Sequence, residues 1–182
     1  MITSLEEYRY YLEQDRIALG RSKFTLVSYF LDEIWMYQRR LRYVEYLQNC
    51  KHGLFWNIIR KIVYIRLHKS GIRLGFSIPV NTCGAGLSLA HYGPIIINTG
   101  AKIGRNCRIH VGVNIGVGKD GVPEIGDNCY LGPGAKIFGG IRLGDNTSVG
   151  ANAVVNRSFP VGQCVLAGVP AKIVRNKKSE AD

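Results

Sequence analysis

Residues 95–155 read IIINTGAKIGRNCRIHVGVNIGVGKDGVPEIGDNCYLGPGAKIFGGIRLGDNTSVGANAVV. Aliphatic side chains stand at every sixth position of this stretch, in two series: Ile97, Ile103, Ile109 and Ile115, then Ile125, Leu131, Ile137, Leu143, Val149 and Val155. Glycine commonly follows the aliphatic residue, and a small or apolar residue comes four positions after it. Three such hexads close one triangular coil of a parallel β-helix, with the aliphatic side chains stacked inside and glycines relieving the tight corners.

The repeat is interrupted once, because Ile115 and Ile125 are ten residues apart instead of six. The additional residues lie within residues 117–124, VGKDGVPE. Insertions in a repeat protein form loops on one face of the stack, and that face often binds the ligand. We therefore expect a protruding loop close to the functional site.

The N-terminal part of the chain has a helical pattern instead. Ser4 and Glu7 form a capping box ahead of a first helix. Ser22 is predicted to cap a second helix that runs toward Cys50. A third segment, apolar and basic, runs over residues 54–71. The expected fold is mainly β with an α-helical N-terminal part, organised as a helical head (1–75), a β-helix catalytic domain (76–175) and a polar tail (176–182).

Composition favours an ordinary globular protein, with 46% hydrophobic residues among 182. No apolar run reaches the length of a membrane span, and the polar N-terminus is unlike a secretory signal. We expect a cytoplasmic protein. The five cysteines are an odd number without CxxC spacing, which favours buried free thiols over disulfides or a zinc site, so no metal is predicted.

The chain is basic, with 24 Lys and Arg against 13 Asp and Glu and a net charge of +11. Residues 1–75 contribute +6 and residues 76–182 contribute +5, so the charge does not form a nucleic-acid-binding arm. A polyanionic ligand such as a nucleotide cofactor, an anionic membrane surface or simple solvation would each suit this excess.

Three motifs resemble the hexapeptide-repeat acyltransferases, and within them the serine acetyltransferase branch. They are Leu89-Ala90-His91-Tyr92-Gly93, Gly134-Ala135-Lys136-Ile137 and Ala167-Gly168-Val169-Pro170-Ala171-Lys172. The resemblance covers residues 75–174 and implies a left-handed parallel β-helix. It also implies acetyl-CoA as co-substrate and a homotrimer, because the sites of this family lie between neighbouring β-helices.

The resemblance assigns the catalytic base to His91. An alcohol is a poor nucleophile, so a positioned imidazole must take its proton as the oxygen attacks the thioester carbonyl. His110 is the rival candidate, since it follows Ile109 where most coils have glycine. Further substrate contacts are predicted at Tyr92, Asn98 and Asn114. Contacts to the cofactor are predicted at Gly118, Lys119, Gly134, Ala135, Lys136, Lys172 and Arg175.

The sequence departs from the serine-specific pattern at three places. Ala90 stands where that branch has an aspartate before the histidine, and Gly121 and Val122 stand where it has an Arg-His pair. Those groups serve the charged ends of serine. We therefore predict acetyl transfer to a sugar hydroxyl of a surface polysaccharide or its precursor. The alternatives are a serine acetyltransferase with a rebuilt serine site and a non-catalytic assembly scaffold.

The segment from Leu54 to Arg73 interleaves apolar and basic residues. Such a segment can lie on an anionic bilayer. We favour burial of this segment against the β-helix or against another subunit, because most apolar stripes belong to a core.

Overall fold

The structure, a computed structural model, describes residues 1–21 and 31–177. Three helices occupy the N-terminal part: α1 (Leu5–Ala18), α2 (Glu33–Cys50) and α3 (Leu54–Leu74). Among the described helices, none combines the length and the apolar composition required to cross a membrane.

The helix ends refine the sequence prediction. The Ser4 hydroxyl accepts from the Glu7 N–H at 3.0 Å, but the Glu7 carboxylate accepts from Thr3 and not from Ser4, so the capping box is only half formed. Asp32 caps α2 by accepting from the Trp35 N–H; the predicted cap Ser22 lies outside the described residues.

The predicted end of α3 at Gly71 is wrong, because the helix continues to Leu74. Gly75 closes it in the left-handed conformation, with a φ of 81°. Gly71 is needed for another reason: a Cβ there would lie 2.7 Å from the Phe76 carbonyl oxygen. Glycine at this position lets the first strand pass close to α3.

Fourteen short strands follow. They are β1 (Phe76–Ser77), β2 (Ser88–Leu89), β3 (Ile95–Ile97), β4 (Lys102–Ile103), β5 (Arg108–Ile109), β6 (Asn114–Gly116), β7 (Glu124–Ile125), β8 (Tyr130–Leu131), β9 (Lys136–Phe138), β10 (Arg142–Leu143), β11 (Ser148–Val149), β12 (Val154–Val155), β13 (Cys164–Ala167) and β14 (Lys172–Asn176). They form three faces: β1-β3-β6-β9-β12 is the first, β10-β7-β4 the second, and β14-β13-β11-β8-β5-β2 the third. All neighbours pair in parallel except β13 and β14. This is the parallel β-helix that the repeat predicted, and it is left-handed, as the family resemblance implied.

The hexad aliphatics fill the interior as predicted, since every one of the two series is at most 4% exposed. Four of the five cysteines are also buried, and Cys50 is half-buried; all five are free thiols.

The glycines after the aliphatics have a different role from the one predicted. The left-handed corner conformation belongs instead to the third residue after the aliphatic, which is asparagine at Asn106, Asn128, Asn146 and Asn152, with φ between 54° and 57°, and glycine at Gly112 and Gly134, with φ of 79° and 73°. Gly104 shows why glycine is required: a Cβ there would lie 2.6 Å from the Gly126 carbonyl carbon of the next coil. These glycines permit close stacking of coils.

A buried polar cluster joins the helical head to the first coil. The guanidinium of Arg42 donates to both carboxylates of Asp15 and Glu45, and to the Cys83 and Gly84 carbonyl oxygens. Asp15 in turn accepts the Gly86 and Leu87 N–H groups at 2.8 Å each. The chain leading into β2 is therefore held by side chains of α1 and α2.

Candidate active site

His91 lies just beyond β2, at the turn between the third and the first face. β2 pairs with β5, with Leu89 opposite Ile109. The Ala90 N–H donates to the Ile109 carbonyl oxygen at 3.1 Å, so Ala90 is level with His110 and His91 stands one residue further along. This stacking brings the two imidazoles together, with ring centroids 6.0 Å apart.

Two side chains that the sequence analysis did not select surround His110. The Tyr130 ring lies 4.9 Å from the His110 ring, centroid to centroid. The Nε of Arg108 donates to Nε2 of His110 at 3.3 Å. Arg108 on β5 pairs with Ser88 on β2 and with Tyr130 on β8, so these three residues form a column across the third face. Each of them directly precedes an inward aliphatic residue. Aligning the hexads by this column would have identified all three.

The environment of His110 disfavours its protonated form. Partial burial lowers the pKa of His110 from its ordinary 6.5, and the positive charges of Arg108 and His91 act in the same direction. These causes favour the neutral imidazole, with Nε2 as the acceptor for Arg108. The His91 side chain is exposed. No described carboxylate makes a hydrogen bond or an ion pair with either histidine or with Arg108.

Several other predicted contacts border the same turn. Asn114 pairs with Ile96 and Lys136 on the first face. The Lys136 ammonium donates to the Gly112 carbonyl oxygen at 2.6 Å, and the Gly134 N–H donates to Val111. Tyr92, next to His91, is 72% exposed. Asn114, Gly134 and Lys136 thus stand on the coils that stack beside the histidines.

The remaining predicted residues lie elsewhere in the chain. Asn98 follows the far end of β3, where its side-chain oxygen accepts the Gly100 N–H at 2.9 Å. Gly118 and Lys119 belong to the protruding loop, which Gly118 and Gly121 close by an isolated bridge. The Ala135 side chain is fully buried in the core.

Lys172 and Arg175 stand on β14, at the opposite edge of the third face from β2. Five strand spacings separate β14 from β2, or about 24 Å at ~4.8 Å per spacing. Within one chain these two cations are therefore far from His91. The described residues hold no group of three His, Cys, Asp or Glu side chains arranged to bind a metal ion.

The sequence and the fold of this chain match those of known proteins. The profile of the family described as bacterial transferase hexapeptide (six repeats) matches residues 123–157. The chain is 30% identical over 144 residues to a serine acetyltransferase of Synechococcus elongatus, covering 77% of this chain and 52% of that protein. This is a hexapeptide-repeat protein that resembles the serine acetyltransferases.

Solved structures agree with this relationship. The crystal structure of serine acetyltransferase from Brucella abortus strain S19 matches this hexapeptide-repeat protein with a TM-score of 0.72 and 25% identity, covering 96% of this chain and 71% of that one. A complex of that enzyme with coenzyme A has a TM-score of 0.74 at 23% identity and supports the fold.

The chain spans about half the length of the Synechococcus relative, 52%. The relatives named here are called serine acetyltransferases. They therefore give no support to the sugar acceptor that the sequence analysis placed first, and they favour its alternative.

Proposed function

We propose that this protein transfers the acetyl group of acetyl-CoA to a hydroxyl group. The observation that carries the proposal is the His91–His110 pair at a turn of a left-handed β-helix, in a chain similar to serine acetyltransferases. A protein of the same fold is known in complex with coenzyme A. The cofactor contacts assigned by sequence stay predictions.

In the proposed reaction His91 is the general base. Its imidazole takes the proton of the acceptor hydroxyl as the oxygen attacks the thioester carbonyl carbon. The C–S bond then breaks, the acetyl ester is released, and the thiolate of coenzyme A receives the proton from His91. Burial and Arg108 lower the pKa of His110 and so favour its neutral form, which adds no second positive charge next to the imidazolium that forms on His91.

Serine is the acceptor that the relatives favour, and we place it first. Its carboxylate has a candidate partner in Arg108, which lies beside His110. For its ammonium group, no carboxylate of the described residues is bonded to the histidines or to Arg108. A serine site in this protein would therefore require an acidic group that the described residues do not bond to the histidines or to Arg108.

A sugar hydroxyl is the second candidate, and the residues that replace the charged groups of the serine-specific pattern favour it. Ala90 is level with His110, and Gly121 and Val122 belong to the protruding loop. None of the three can pair a charge. An unpaired charge in a desolvated cleft costs about 1–3 kcal/mol or more, whereas a neutral acceptor avoids this cost.

Assembly into a homotrimer is part of the proposal. Lys172 and Arg175 lie far from His91 within one chain. If they contact coenzyme A near a histidine pair, that pair belongs to a neighbouring chain. A cytoplasmic location stays a prediction.

The decisive experiment measures release of the free thiol of coenzyme A with serine and with a panel of sugars. Efficient turnover of serine, above ~10⁴ M⁻¹s⁻¹, establishes the first candidate. Turnover with a sugar alone establishes the second. Absence of both turnover and acetyl-CoA binding by calorimetry would favour the non-catalytic scaffold and contradict the proposal.

A further inference from the structure

Helix α3 has one face that packs on the protein and one that does not. On the packed face, Leu67 and Leu74 belong to the apolar core that continues through the β-helix, whereas Trp56 and Ile59 pack against a smaller core within the head, and Val63 packs against both. The other, which we call the α3 outer face, carries large apolar side chains between 48% and 78% exposed: Leu54, Phe55, Ile58, Ile62, Ile65 and Ile72. A helix that is apolar all round is ordinarily covered on both sides. Burial against the β-helix, one of the interpretations favoured from sequence, is therefore wrong for this face.

The charges of α3 are all positive. Between Leu54 and Leu74 there is no Asp or Glu, and the cations are Arg60, Lys61, Arg66, Lys69 and Arg73. Arg73 pairs with Glu33 at 3.0 Å. Lys61, Arg66 and Lys69 form no ion pair with any residue in the described ranges. Lys61 and Lys69 each stand four residues from Ile65, so they lie within the apolar stripe.

This charge pattern argues against a second copy of the chain as the partner. In a two-fold contact the same patch meets itself, so the lysines of one copy would face those of the other. Such a juxtaposition of like charges is unfavourable. The other surfaces of a second copy would on average also repel the positive α3 outer face, since the whole chain carries a net charge of +11.

A pocket at the edge of this face has matching chemistry. It lies between α2 and α3 and is lined by Val44, Gln48, Arg60, Lys61, Tyr64 and Ile65. Its wall is mainly apolar, and two of its side chains are cations. A phospholipid presents both complementary groups, an acyl chain and an anionic phosphate.

We propose that the α3 outer face docks the protein on an anionic lipid bilayer. The helix would lie in the plane of the interface, with the isoleucines among the acyl chains and the lysines at the headgroups. It lies on the membrane and does not cross it, which agrees with its charge content. The inference does not depend on the proposed acetyl transfer.

The test is co-sedimentation of the full chain with two kinds of vesicle. One is phosphatidylcholine alone, and the other contains about 30 mol% phosphatidylserine. At low salt we expect binding at least ~10-fold stronger to the anionic vesicles, weakening as NaCl is raised from ~0.05 M to ~0.5 M. Failure to bind the anionic vesicles at low salt would overturn the proposal.

Matched variants locate the surface. Ile58→Ser with Ile62→Ser, and separately Lys69→Glu, should each weaken binding about tenfold. The controls place the same kind of change on the β-helix: Val161→Ser with Val174→Ser, where the valines are 87% and 61% exposed, and Arg142→Glu. Equal effects of variants and controls would mean that binding comes from the overall charge.

Light scattering without vesicles tests whether the α3 outer face is instead an interface between subunits. If the isoleucine variant, with an unchanged circular dichroism spectrum, converts a larger oligomer to a smaller one, the α3 outer face is a subunit interface. That result would contradict the proposal. An unchanged oligomeric state together with lost vesicle binding supports it.

Discussion

Arg42 of α2 and Asp15 of α1 form a fully buried ion pair, with the Arg42 Nε 2.8 Å from a carboxylate oxygen of Asp15. Glu45, also buried, lies 3.0 Å from the same guanidinium. Although burial opposes the charge, the two carboxylates hold the pKa of Arg42 above its ordinary value. Because Asp15 also accepts two N–H groups of the first coil, this pair connects the head to the strand that leads to His91.

Replacing Arg42 by methionine should therefore be severely destabilising. The variant would leave two buried carboxylates without their cation, and breaking a buried ion pair in this way costs about 3–5 kcal/mol. Urea denaturation of the variant and the parent measures the difference in free energy of unfolding. A loss below ~1 kcal/mol would mean that water or another cation reaches this cluster.

The matched control is an exposed ion pair on the β-helix. Lys102 and Glu124 lie 2.8 Å apart, with side chains 77% and 50% exposed. Glu124→Gln should leave the free energy of unfolding nearly unchanged, because solvent screens such a pair.

His91→Ala should lower the rate of acetyl transfer by ~10²–10⁴-fold, which is the usual contribution of a general base. The fold should be unaffected, since the His91 side chain is exposed. His110→Ala should have a smaller effect on the same thiol-release assay. His68→Ala, at an exposed site on α3, is the control and should leave the rate unchanged. If His110→Ala is the more damaging of the pair, the roles of the two histidines are reversed.

The titration of His110 should respond to Arg108. NMR of the imidazole protons should give His110 a pKa below 6.5 in the parent protein. Arg108→Gln removes one of the positive charges responsible and should raise that pKa. Arg142→Gln, on the second face, should not move it. A pKa of His110 that is insensitive to Arg108→Gln would contradict the proposed contact.

The same shift predicts how stability depends on pH. The folded state binds the His110 proton less readily than the unfolded state does. The contribution of His110 to the stability of the folded state is therefore fully present above the pKa of the unfolded state. It decreases as the pH falls through ~6.5. The decrease ends below the folded pKa, where both states are protonated. Because His110 is only partly buried, the effect should be small, and comparison with His110→Gln isolates it.

The oligomeric state is the fifth prediction. Light scattering should give a mass that is three times, or a multiple of three times, the 20.2 kDa chain. Mixing inactive His91→Ala chains with inactive chains carrying Lys172→Glu and Arg175→Glu should restore activity, because some sites then combine intact halves from two chains. A monomer with full activity would exclude a shared site.

The repeat could be recognised from sequence because it is a local property. Each hexad places one aliphatic side chain inward. Ile103, Ile125 and Leu143 lie in register on the paired strands β4, β7 and β10, so the spacing of six resumes after the loop. The role of the corner residues could not be read in the same way. Whether a glycine serves a left-handed turn or a close approach depends on the coil above it, as Gly104 and Gly126 show.

The candidate site was predicted only in part. His91 and His110 are nineteen positions apart in the chain, yet stacking of β2 on β5 brings their rings within 6.0 Å. Tyr130 comes from a third coil and was missed, because its relation to His110 is visible only when the hexads are aligned by their outward positions. Lys172 was selected by motif, but the strand order places it at the far edge of the face.

The period of six was sufficient to specify the β-helix, since burying one aliphatic per hexad satisfies the hydrophobic effect only when equivalent hexads stack. Aligning the hexads shows which outward positions stack, but the contacts of His110 with Arg108 and Tyr130 were decided by the tertiary structure. Outward positions carry no burial constraint, so their spacing does not show how their side chains are oriented. The same holds for the head, where Asp15 and Arg42 become partners only because packing excludes water from both.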